Sequence, residues 1–91
     1  MNKADLVNLV AARTELSKTT INQSISVAFD VIMDAVAEGR KVSVMGFGSF
    51  EPRERSARSG FNPKTGERIS VPEKRVPVFT AGKIFKETVA Y

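Results

Sequence analysis

The sequence predicts an α+β fold: two N-terminal helices, a three-stranded antiparallel sheet extended into a long β-hairpin arm, and a short C-terminal helix. Three observations predict it. Apolar residues recur at helical spacing as far as Gly39, and alternate with period two from Lys41. From Gly46 to Thr80, two apolar ends enclose a long stretch that is polar and strongly basic.

Asn2 is placed to cap a first helix, with Asp5 at the third helical position, near the positive end of the helix dipole. Leu6, Val7, Leu9 and Val10 form its apolar stripe. Thr14–Ser17 breaks that pattern, and Ser17 is placed to cap a longer helix. Along it Ile21, Ile25, Ala28, Ile32 and Ala35/Val36 repeat at steps of four and three. Phe29 and Met33 widen the face, which implies burial against more than one neighbour. Gly39 ends the helix as a left-handed C-cap. This helix carries little basic surface beyond Lys18, so the pair reads as a packed base and not as a helix-turn-helix reader of DNA.

Lys41–Met45 reads as a half-buried strand with Val42 and Val44 on one face. Gly46-Phe47-Gly48 is a tight turn anchored by Phe47; it lacks the remainder of a phosphate-loop motif. The strand from Ser49 leaves the core after Phe50, and Glu51–Arg58 contains no large apolar residue. Asn62-Pro63-Lys64-Thr65-Gly66 forms the tip. That placement sets Arg58 opposite about Ser70 and Arg53 opposite about Arg75. Arg53 and Arg55 then share a face, while Arg58 has the other parity unless a bulge or strong twist realigns it. Pro52, Pro72 and Pro77 mark an edge ribbon, not a sheet interior. Val76–Thr80 returns to the core, Ala81-Gly82-Lys83 turns, and Lys83–Ala90 forms the last helix with Ile84, Phe85 and Val89 apolar.

Charge is distributed unevenly along this framework. Between residues 53 and 75 lie Arg53, Arg55, Arg58, Lys64, Arg68, Lys74 and Arg75, against Glu54, Glu67 and Glu73. The seven basic residues elsewhere are matched by seven acidic ones, so the net +4 resides in the hairpin. A solvated cationic ribbon calls for a polyanionic partner.

Ninety-one residues allow one domain, and projecting the arm leaves a body of marginal size. With no cysteine and no histidine, disulfides and thiolate metal sites are excluded, leaving oligomerisation to complete a core. An obligate dimer is expected, and no cofactor. Nothing among the carboxylates resembles a catalytic constellation, so an enzyme is not expected. No apolar run is long enough to span a membrane, and no basic amphipathic helix is present to lie on one. The lack of cysteine and of a signal segment points to the cytoplasm.

Arginines on a ribbon suit the narrow, strongly negative minor groove of duplex DNA. Phe61 and Pro63 place apolar groups at the far end of a polar arm. Pro63 fits turn geometry and equally a wedge that unstacks base pairs and kinks the duplex.

The stretch GFGSFEPRERSARSGFNPKTGE resembles the signature of the bacterial histone-like DNA-binding proteins, the HU/IHF family, and is most like HU. The similarity extends from the MNKADLV start to the closing VPVFTAGKIFKE. It implies an intertwined dimer, residues 1–52 and 76–91 forming the dimerisation body and 53–75 the DNA-binding arm. By that resemblance Arg53, Arg55, Arg58, Lys64, Arg68, Lys74 and Arg75 lie against DNA, with Pro63 intercalating; Phe61 and Asn62, beside it at the tip, are expected to touch DNA as well. Lys3, Lys83 and Lys86 touch flanking phosphates, and Phe47, Phe50 and Phe79 form the dimer core. Phe61 departs from the pattern, the family commonly having a basic residue there.

The implied function is a nucleoid-associated protein that bends and compacts duplex DNA with weak sequence preference, as phosphate and groove-shape contacts dictate. Bent, nicked or flexible DNA is the expected preference. A site-specific integration-host-factor-like subunit, or a specialised regulator, is the alternative within the family. RNA is the more distant partner, disfavoured because the arm lacks an aromatic platform for unstacked bases.

Overall fold

In the computed structural model the elements run α1 (Lys3–Thr14), α2 (Lys18–Ala37), β1 (Val42–Val44), β2 (Gly48–Arg55), β3 (Arg58–Phe61), β4 (Arg68–Val71), β5 (Lys74–Ala81) and α3 (Lys83–Val89). The structure describes residues 1–55, 58–61, 64–71 and 74–90, without the side chains of 55, 58, 59, 61 and 68–71. It forms two compact units, Met1–Asp34 and Ala35–Tyr91, divided within α2.

In the first unit the expected caps are in place. The Asp5 N–H donates to Asn2 Oδ1 and the Asn2 N–H to Asp5 Oδ2, both at 3.0 Å, a reciprocal capping box. The first helix stops at Glu15, which takes the left-handed conformation at φ 60°. Ser17 Oγ then accepts from the Thr20 N–H at 3.1 Å and starts α2. Val7, Ala11 and Ile21 are buried together, with Val10 and Ile25 packed against them.

In the second unit β1, β2 and β5 form a three-stranded antiparallel sheet, and β3 pairs with β4 in a separate two-stranded ladder. The β1–β2 turn places Gly46 at φ 81°, and Gly48 follows as the first residue of β2. A Cβ there would stand 2.5 Å from the Thr80 carbonyl oxygen, so only glycine lets β2 approach β5 this closely. The strand expected over Lys41–Met45 is shorter, Val42–Val44. Val42 is half-buried as expected, but Val44 is 45% exposed. It shares a sheet face with Val42, Phe50 and Phe79, on which Phe79 too is exposed while Val42 and Phe50 are half-buried.

The arm register differs from expectation by one residue. Arg58 pairs with Val71, not Ser70, and Arg53 with Val76, not Arg75. The physical reason is the parity of the tip. Phe61 pairs with Arg68, so six residues connect the strands where a five-residue turn was expected. A one-residue shift moves every cross-strand partner. The Glu67 N–H donates to Thr65 Oγ1 at 3.3 Å and Gly66 sits at φ 72°, which turns the chain into β4. From Arg55↔Lys74 to Arg58↔Val71, each strand advances three residues. No net residue is inserted, so the register of the described residues gives no net bulge to realign Arg58 with Arg53 and Arg55; strand twist is the other expected device.

Candidate nucleic-acid interface

The root of the arm has two chemically different faces, set by the β2–β5 register. On one, Phe50 opposes Phe79, Pro52 opposes Pro77 and Glu54 opposes Arg75. On the other, Glu51 opposes Val78, Arg53 opposes Val76 and Arg55 opposes Lys74. Alternation along the strands thus places Arg53 and Lys74 together, away from the aromatic face.

Arg53 is exposed, and its Nη2 lies 3.7 Å from Glu51 Oε1. A pair in this environment is worth about 0–1 kcal/mol, so transferring Arg53 to a phosphate costs little. Lys74 is exposed, as is Lys64 at the turn. Arg75 is engaged elsewhere: its Nη1 donates to the Ala37 carbonyl at 2.9 Å. For Arg55, Arg58, Phe61 and Arg68 the backbone lies in the ladders, while their side chains fall outside the described residues. Asn62 and Pro63, the expected wedge included, lie outside the described residues altogether.

Of the body lysines, Lys3 Nζ donates to Ser26 Oγ. Lys83 Nζ lies 3.9 Å from Glu87 Oε1, both side chains well exposed. With lysine preceding glutamate at this spacing, the helix dipole weakens the pair. Lys86 is exposed in the same helix.

Phe47, Phe50 and Phe79 come together within the chain. Phe47 and Phe79 ring centroids are 5.3 Å apart, and Phe50 and Phe79 are 4.8 Å apart. Phe85 joins them, 5.3 Å from Phe47 and 6.1 Å from Phe79. Its place in the apolar stripe of α3 was the available signal, but only the packing assigns it to this cluster. The cluster is only partly covered: Phe50 and Phe85 are half-buried, while Phe47 is 43% exposed and Phe79 40%. Among the described residues no large side chain is fully buried.

A family model described as bacterial DNA-binding protein matches residues 1–90. The chain belongs to that family. DNA-binding protein HU 1 of Bacillus subtilis is 50% identical over 90 residues, covering 99% of this chain and 98% of that one. DNA-binding protein HU of Nostoc is 49% identical over 90 residues, covering 99% and 96%. Among solved structures, HU in an Anabaena HU–DNA cocrystal matches with a TM-score of 0.89 at 49% identity, over 99% of this chain and 98% of that one. HU from Thermotoga maritima matches with a TM-score of 0.70 at 29% identity, over 99% and 100%. Among the described residues no helix is long and apolar enough to cross a membrane.

Proposed function

We propose that this chain is an HU-type architectural protein, acting as a homodimer that holds and bends duplex DNA without reading its sequence. The observation that carries the reading is the concentration of the whole net charge, +4, on the ribbon that continues the β2–β5 ladder. The relative in the Anabaena complex is bound to DNA, and this chain matches it over 99% of its length. The partly exposed Phe47–Phe50–Phe79–Phe85 cluster supports dimerisation: an apolar patch of aromatic rings on a small chain marks an interface.

In the proposed mechanism two arms leave the shared body and follow the minor groove. Arg53, Arg55, Arg58, Lys64, Arg68 and Lys74 meet phosphates and groove. Pro63, flanked by Phe61 and Asn62, enters between base pairs and kinks the duplex. The energy of unstacking is offset by the greater length of DNA that the bent form brings against the protein. Lys3, Lys83 and Lys86 meet phosphates flanking the kink. The protein carries out no covalent chemistry, requires no cofactor and associates with the nucleoid.

Affinity measured against linear, nicked and four-way-junction duplexes at two salt concentrations tests this. Neutralising ~6–10 phosphates lowers affinity by roughly 10³–10⁵ between 50 and 200 mM salt. Nicked and junction DNA bind more tightly than linear DNA, since their deformation costs less. A salt-independent affinity, or tighter binding to one particular linear sequence than to nicked DNA, overturns the reading.

A further inference from the structure

The last turn of α2 leaves four backbone carbonyls without a helical donor. Two are satisfied by a Schellman motif around Gly39, at φ 90°. The Arg40 N–H donates to the Ala35 carbonyl at 2.9 Å, and the Gly39 N–H to that of Val36 at 3.0 Å. The Ala37 carbonyl comes next, and its donor arrives from 38 residues downstream: Arg75 Nη1, at 2.9 Å. The last turn of α2 contains no basic side chain of its own, so Arg75 also supplies the positive charge that the negative helix end lacks. A Cβ on Gly39 would stand 3.8 Å from Arg75 Nη1, so the guanidinium lies against the cap glycine. Arg75 shares its ribbon face with Phe79 and Pro77 and opposes Glu54, while Arg53 and Lys74 occupy the other face.

The geometry points to Arg75 as a positioning residue, which clamps the root of the arm to the C-terminal turn of α2, and not as a phosphate ligand like its neighbour Lys74. The inference rests on the DNA-binding reading above. Two adjacent basic residues on β5 thus have different tasks because strand alternation sends them to opposite faces. Recruiting Arg75 to a phosphate removes the donor from Ala37 and the counter-charge from the helix end. Keeping it there fixes the angle at which the ribbon leaves the sheet, and so the path along which the other cations meet DNA.

The test compares Arg75→Met with Lys74→Met in the full-length protein; each keeps an apolar stem and removes the charge and the donors. In the free protein, Arg75→Met accelerates amide exchange at residues 38–40 and 74–76 by roughly two- to tenfold, as loss of one hydrogen bond implies, and Lys74→Met does not. With DNA, Lys74→Met reduces the slope of log affinity against log salt by about 0.9. Arg75→Met retains the wild-type slope but lowers the bend measured by energy transfer between duplex ends. Arg75→Lys restores both the exchange pattern and the bend towards wild type. A slope reduced by about 0.9 in Arg75→Met, with exchange in the free protein unchanged, overturns the inference. Failure of the underlying DNA reading is separate: the wild-type slope itself is then near zero.

Discussion

Phe50 and Phe79 are directly opposed on β2 and β5, with ring centroids 4.8 Å apart and ring planes inclined by 51°. Tilted pairs at this distance are favourable beyond the area they bury. Yet Phe79 remains 40% exposed in a single chain. The sheet pair, the turn residue Phe47 and Phe85 of α3 form one aromatic cluster whose Phe47 and Phe79 stay open to water, which supports the shared core proposed above.

Phe79→Ala therefore weakens association and stability together. Replacing a core phenylalanine by alanine costs about 3–5 kcal/mol. The expected result is a shift towards monomer at micromolar concentration by sedimentation, with a melting temperature that depends more steeply on protein concentration. A variant dimer as stable as wild type contradicts the proposed shared core.

Gly48→Ala destabilises the sheet. The new Cβ meets the Thr80 carbonyl oxygen at 2.5 Å and two Phe79 ring carbons at 2.8 and 2.9 Å. Overpacking of this kind costs about 1–3 kcal/mol, read from the midpoint of a denaturant titration. Gly60→Ala is the matched control: among the described residues nothing lies within 4 Å of its Cβ position, and the change stays within about 0.5 kcal/mol. Equal effects at the two positions discount the close approach.

Asn2→Ala removes the side-chain half of the capping box that begins α1. The expected loss is about 1 kcal/mol, and Asn2→Asp, which retains an acceptor, recovers most of it. Denaturant titration of the three proteins decides whether the cap stabilises the fold.

Phe61→Arg puts a basic residue at the tip end of β3. DNA binding is retained, because a cation is added beside the segment proposed to meet phosphates. The bend changes, because an apolar group is lost beside the proposed wedge. Gel phasing on a duplex with a fixed reference bend measures it, and unchanged phasing removes Phe61 from the kink.

Much of this fold was legible in local patterns. Asn2 and Asp5, Ser17 and Gly39 marked helix ends because capping satisfies backbone groups within a few residues, and such partners are visible side by side in a sequence. The concentration of charge between 53 and 75 was equally plain, since it needs only counting. The exposure of Val44 was not legible. Alternation gives a residue its face, but not whether another chain covers that face. The arm register missed by one residue for a similar reason: turn-forming residues announce a turn, but the number of residues left unpaired at the tip depends on how the two strands meet.

By itself, then, the sequence determined the kinds and order of the elements, the aromatic supply for an interface and the cationic ribbon. Each follows from residue type and near-neighbour spacing, where backbone geometry acts directly. Tertiary structure alone decided that Arg53 faces Val76, that Phe85 completes the aromatic cluster, and that Arg75 ends on the carbonyl of Ala37. Those facts depend on pairing and packing between segments tens of residues apart. There a single step in register reverses which face a charge occupies, and no local propensity carries that information.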